Sequence, residues 1–268
     1  MPPSPTATSA SAAAAGSLSS TSSATAASAS ASSATLPDKP SASSASGWAA
    51  TGEVLARSIA RIPHPPLWLP VSASLFAGGV VVYHVLFTYG LSTAIFAYHP
   101  LLMAIGYFML LLPASHFLGR YSPLPQGQAS FPRARKVNWH WIAMAVAMVA
   151  IVGGFYAIYE SRTRNNKIHF KSWHAKIGVA AIVFAIVQGF SALPMRFPNL
   201  RPAGFDMGQN VRLHRIWSVV VLAATAVCLI LSFFTGWFLR NSSLSMALVM
   251  VLCVVVTVGS ACRSALRL

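Results

Sequence analysis

Residues 139–159 read WHWIAMAVAMVAIVGGFYAIY, a stretch without an Asp, Glu, Lys or Arg and with a histidine, His140, at its start. As helix, roughly 20 residues cross the ~30 Å hydrocarbon core of a bilayer. A barrel strand would alternate polar and apolar residues, and this stretch does not. Backbone hydrogen bonds must then close within the segment, so it is expected to be a membrane-spanning helix. Five more uncharged apolar segments surround it, at about 67–91, 100–118, 177–193, 216–239 and 244–261. The fourth, 177–193, is the shortest and gains length if its helix starts at His174. Six transmembrane helices are expected, an all-α integral membrane fold.

Composition agrees. The chain has 268 residues, 55% hydrophobic and 9% charged, with a mean hydropathy of +0.61. A soluble domain of that size needs more polar surface, so lipid is the natural solvent. Asp38, Glu53, Glu160 and Asp206 are the only acidic residues, and the formal charge is +15. That charge sits on loops and the tail, where it serves topology and anionic-lipid contact rather than nucleic-acid binding. With six spans, one side carries Lys39, Arg57, Arg61, Arg120, Arg133, Arg135, Lys136, Arg196, Arg201, Arg212, Arg215, Arg263 and Arg267. The other carries Arg162, Arg164, Lys167, Lys171, Lys176 and Arg240. The richer side is expected in the cytosol with both termini; which membrane is involved stays open. Trp68, Trp139, Trp141, Trp173, Trp217 and Trp237 fall near segment ends, as interfacial aromatics do.

Ahead of the first segment the chain is mostly Ser, Ala and Thr. Such a stretch cannot bury enough apolar surface to order itself. The expected division is a disordered cytosolic tail, 1–55, and a membrane domain, 56–268. A transit peptide would explain the Ser, but the first basic residue is Lys39. Cys228, Cys253 and Cys262 make no metal or disulfide pattern and are assigned no role.

The chemistry lies in histidines. His99, His140, His174 and His214 each stand where a loop gives way to one of four successive segments, the second to the fifth. Consecutive spans run in opposite directions, so His99 and His174 are expected near one face and His140 and His214 near the other. A single histidine at a helix start is as well explained as an interfacial polar residue. Four in consecutive segments suggest two bis-imidazole sites, since neutral imidazole is an axial ligand for haem iron and helix bundles hold cofactors between facing helices. A helix start also favours the neutral imidazole. Two histidines on one helix would be the rival geometry. His99 and His116 lie about 100° apart around a helix, which argues against it.

The other histidines serve as controls. His64 lies among prolines, His84 falls mid-span without a partner at matching depth, His116 ends the second segment, and His169 lies in a basic loop, solvated or lining a substrate site. Gly106 and Gly154 fall near the faces of His99 and His140, as room for a macrocycle or as ordinary small-residue packing. No Cys-x-x-Cys-His motif is present, so any haem would be held without covalent attachment.

The stretches Tyr98-His99-Pro100-Leu101-Leu102-Met103, Asn138-Trp139-His140-Trp141, Ser172-Trp173-His174-Ala175-Lys176-Ile177-Gly178 and Arg212-Leu213-His214-Arg215 resemble the cytochrome b561 family. The likeness is to its branch of transmembrane reductases that are little more than the six-helix domain, and it covers about residues 60 to 263. It implies that helices 2 to 5 form a central four-helix bundle holding two haem b groups. His99 and His174 would ligate the non-cytosolic iron, and His140 and His214 the cytosolic one. It also implies an ascorbate-dependent oxidoreductase that passes electrons from cytosolic ascorbate to monodehydroascorbate or a ferric chelate across the bilayer. Arg133, Arg135 and Lys136 resemble the basic run associated with ascorbate, and His169 is a candidate on the acceptor side. A homodimer is compatible with this reading. Two other readings stay open, a haem-free histidine-lined transporter and a haem sensor without turnover.

Overall fold

The computed structural model describes residues 66, 68–90, 94–119 and 132–266. The stretch 1–55, together with Lys39, Arg57, Arg61, His64, Arg120 and Arg267, lies outside them. Among the described residues there are helices and no strands. Six are long and apolar enough to cross a membrane: Trp68–Thr88, Ile95–Ser115, Arg133–Arg164, Trp173–Arg196, Met207–Phe233 and Leu244–Leu266. They are called the first to sixth spans. A short helix, Gly236–Asn241, joins the last two.

The spans start and stop where local chemistry allows. Ser172 caps the fourth by accepting from the Ala175 N–H, and Asp206 caps the fifth through the N–H groups of Gly208 and Gln209. Such caps satisfy amides that have no partner inside the helix. Two spans begin well before their apolar parts. The third starts at Arg133 and the fifth at Met207, so polar turns extend both helices beyond the hydrocarbon. His99 and His174 therefore lie in the first turn of a helix, whereas His140 and His214 lie about two turns in. The expectation that all four sit at helix starts holds for two of them. Apolar patterning marks the hydrocarbon boundary, and the helices do not end there.

The second span is irregular, with a π-helical stretch at Ala104–Leu111. Pro113 stands in the turn that follows it. Pro113 has no N–H to give, and in π register the carbonyl it would have served is that of Phe108. The Ser74 hydroxyl of the first span donates to that carbonyl at 2.6 Å. An orphaned acceptor inside lipid is thus satisfied by the neighbouring helix. Likewise the Thr257 hydroxyl of the sixth span donates to the Pro70 carbonyl at 2.9 Å.

Spans in sequence pack against one another and the sixth closes on the first, with the second and third, and the fourth and fifth, forming the most intimate central pairs. The core residues Val85, Leu112, Ile151, Met250, Val254 and Phe233 are almost wholly enclosed. Large apolar side chains such as Phe87, Val149 and Leu252 face outward, as they must where lipid is the solvent. Trp68, Trp139 and Trp173 are exposed at span ends. Trp217 instead turns inward, its indole N–H 3.4 Å from the Phe184 carbonyl.

Candidate functional site

The four candidate histidines are placed by the two central helix pairs. His99 of the second span uses Nδ1 to donate to the Gly154 carbonyl of the third, at 2.9 Å. His140 of the third span donates from Nδ1 to the Ala114 carbonyl of the second, also at 2.9 Å. The fourth and fifth spans repeat the device, with His174 Nδ1 donating to the Cys228 carbonyl at 3.1 Å. A carbonyl can only accept, so each bond fixes the proton on Nδ1 and leaves Nε2 as the free lone pair. That is the tautomer a metal ion needs, held by the kind of outer bond that orients ligating imidazoles.

The two pairs are related by an internal repeat. His99 and Gly154 are 55 residues apart, and His174 and Cys228 are 54 apart. Ala114 precedes His140 by 26 residues, and Gln188 precedes His214 by 26. The one-residue difference falls where the second span carries its π-helical stretch. At the fourth position the pattern changes. His214 Nδ1 is buried and, among the described residues, has no hydrogen-bond partner. Contact runs the other way, the Gln188 side-chain amide donating from Nε2 to the His214 carbonyl at 2.8 Å.

Across the two pairs, the rings of His99 and His174 stand 6.4 Å apart centre to centre, inclined at 72°. A metal ion shared by the two rings, about 2.0 Å from a nitrogen of each, would put the ring centres roughly 6.4 Å apart. The spacing therefore fits one iron between them. His140 and His214, at the other level, lie close enough to interact electrostatically. Fourteen residues of the third span separate His140 from Gly154, a rise of about 21 Å. Among the described residues no cluster of three or more His, Cys, Asp or Glu exists. Paired imidazoles suit a macrocycle that fills the remaining iron positions itself; a zinc site would need more protein ligands.

The two glycines turn out to serve packing. A Cβ on Gly106 would lie 2.6 Å from Ile151 Cγ1 and 3.1 Å from the Ala147 carbonyl oxygen. On Gly154 it would lie 3.3 Å from the His99 carbonyl oxygen and 3.2 Å from Leu102 Cβ. Both let the second and third spans approach closely enough for the imidazole bonds to form. Gly154, Ala114 and Cys228 act through main-chain carbonyls, which no side-chain motif reports. Gln188 had a signal, an amide alone in an otherwise apolar stretch.

The remaining histidines separate from this set. His84 lies 3.5 Å from the Thr88 hydroxyl on its own helix and edge-on to Phe238. His116 is buried where the second span meets the sixth. His169, in the loop between the third and fourth spans, stacks on Tyr159 with ring centres 4.4 Å apart and lies 3.3 Å from the Thr163 hydroxyl. Its neighbour Phe170 has φ +53° and stacks on Phe155, the residue after Gly154. A left-handed phenylalanine is uncommon and needs such support.

At the His140–His214 end, a half-open cavity of about 390 Å³ is lined by Gly208, Val211, Arg212, Arg215, Ile216, Ala265 and Leu266. Arg133 and Arg135 are exposed in the first turn of the third span, with Lys136 half-buried beside them. None of these three lines the cavity; its cations come from the fifth span.

Six apolar spans in a bundle, with imidazoles set between helix pairs, define a membrane-embedded cytochrome of b type. The model of the family described as eukaryotic cytochrome b561 matches residues 98–240, just over half of the chain, and the protein belongs to that family. Membership implies haem b binding. The chain is similar to transmembrane reductase CYB561D2 of Bos taurus, 23% identical over 165 residues that cover 62% of this chain and 72% of that protein. It is similar also to probable transmembrane reductase CYB561D1 of Homo sapiens, 26% identical over 179 residues, 66% of this chain and 76% of that protein.

Proposed function

We propose that the protein is a transmembrane oxidoreductase that holds two haem b groups and passes electrons from cytosolic ascorbate to an acceptor on the other side, monodehydroascorbate or a ferric chelate. His99 and His174 hold one iron and His140 and His214 the other. The observation that carries this is the 6.4 Å spacing of the His99 and His174 rings with both Nδ1 atoms already engaged on carbonyls. The relatives named as reductases support the reaction class. When bound, haem iron alternates between two oxidation states and so carries one electron at a time. The chain's own residues supply the rest. Carbonyls of Gly154, Ala114 and Cys228 fix the imidazole tautomers, and apolar spans keep water away from both levels.

On the cytosolic side of this reading, ascorbate is an anion, and the cavity cations Arg212 and Arg215 meet it at the start of the fifth span. Arg133, Arg135 and Lys136 add positive potential that draws it in. On the opposite side, His169, stacked on Tyr159 in the loop between the third and fourth spans, receives the acceptor. The stretch 1–55 is a tail on the cytosolic side.

The optical spectrum of the purified protein, with and without ascorbate, is the test. Two b-type haems reduced by ascorbate are expected. Haem that ascorbate leaves oxidised would point to a sensor without turnover, and correctly inserted protein without haem would point to transport.

A further inference from the structure

We propose that Gln188 is a positioning residue for His214, doing for that imidazole what main-chain carbonyls do for the other three. The inference deepens the functional reading and rests on His214 being a haem ligand. Three observations carry it. Gln188 stands 26 residues before His214, as Ala114 stands 26 before His140, so by the internal repeat it occupies the anchoring position. Its own main-chain carbonyl, the counterpart of Ala114's, is taken by the Ser191 hydroxyl at 2.8 Å, and His214 does not use it. Two complementary atoms on these touching residues are left over, Gln188 Oε1, an acceptor, and His214 Nδ1, both buried and without a partner among the described residues.

An amide inside a membrane bundle is held there by the hydrogen bonds it makes across helices. Buried donors and acceptors are normally satisfied, so an orphaned pair on adjoining residues points to a bond between them. The Nε2 of Gln188 already grips the His214 carbonyl at 2.8 Å, which keeps the amide beside that residue. When iron takes Nε2 of His214, the proton must reside on Nδ1, and Gln188 Oε1 is the acceptor for it. The consequence is electronic as well as geometric. An acceptor on Nδ1–H makes the imidazole a stronger donor to iron and favours the ferric form. A side-chain amide can be replaced by substitution, whereas the carbonyl anchors cannot.

The experiment is redox titration of the full-length, haem-loaded protein, with low-spin EPR of each haem, for wild type, Gln188→Met and Gln188→Glu. Methionine matches glutamine in length and offers Nδ1 no comparable acceptor; glutamate offers a stronger one. Gln188→Met should raise the midpoint potential of one haem and shift its EPR signal, and Gln188→Glu should lower that same potential. The second haem should stay where it is in both. A residue that only fills space would not move one potential in opposite directions. Unchanged potentials and EPR signals in both variants, or equal shifts of both haems, would overturn the proposal. If Gln188→Met does not insert, Gln188→Glu decides by the same criterion. His214→Ala separates the two levels of argument. Retention of both haems there would remove the ligand reading itself, whereas loss of one haem with silent Gln188 variants would remove only the role given to Gln188.

Discussion

His99 and His174 face each other across the axis of the bundle with ring centres 6.4 Å apart, each tied through Nδ1 to its own partner helix. Each ring directs its Nδ1 at a carbonyl of its partner helix rather than at the other ring. Their free nitrogens are left for an ion. Replacing either His99 or His174 by alanine should therefore remove one haem and keep the other. Haem content per protein should fall by half in each single variant and no further in the double. Pyridine-haemochrome quantification with the oxidised Soret spectrum checks this, and undiminished haem in both single variants would refute the pair.

Gly154 sets how near the second and third spans can come. A Cβ there would press on Leu102, Met103 and the His99 carbonyl at 3.2 to 3.3 Å. Gly154→Val should force the spans apart at a cost of about 1–3 kcal/mol and weaken the His99 Nδ1 bond. The expected result is a lower thermal midpoint and selective loss of the haem held by His99. Gly79, around which a Cβ would meet nothing within 4 Å, provides the control, and Gly79→Ala should keep both haems.

Ser74 answers for the carbonyl that Pro113 strands. Removing its hydroxyl leaves the Phe108 oxygen buried and unpaired, a loss of about 1–3 kcal/mol. Ser74→Ala should lower the unfolding midpoint in detergent while leaving the haem bands at their wild-type positions. An unaltered midpoint would mean that another donor, or water, reaches the carbonyl.

Arg212 lines the cavity at the His140–His214 end. If ascorbate is met there, Arg212→Gln should raise KM for ascorbate about tenfold, equivalent to about 1.4 kcal/mol, with kcat little changed. Added salt should weaken ascorbate binding in wild type more than in the variant, since the lost charge is one that salt screens. Equal KM in the two proteins would place the donor site elsewhere.

Much of this architecture is legible in the sequence, and for a clear reason. Lipid demands uncharged runs of about 20 residues, so 139–159 and its five companions announce themselves. The histidines stand out because a titratable group beside such a run is costly without a purpose. Other features leave weaker traces. Helix ends depend on caps such as Asp206 and on polar turns beyond the hydrocarbon, which hydropathy does not measure, so the third and fifth spans begin earlier than their apolar parts. Gly106 and Gly154 are conspicuous as residues, yet only the approach of Ile151 and His99 shows that they serve packing. The arginines of the cavity look like ordinary topology charge until they are seen to line it beside Ala265 and Leu266 of the sixth span.

Three of the four imidazole anchors are peptide oxygens, at positions 114, 154 and 228. Every amino acid carries that group, so replacing the side chain of Ala114 or Cys228 leaves the acceptor in place. Both positions are buried, so it is replacements of similar size, such as Ala114→Ser or Cys228→Ala, that a mutational scan would pass over as silent, although the orientation of His140 and His174 hangs on the two carbonyls. The chain thus hides part of its most exacting machinery in atoms that the genetic code does not vary.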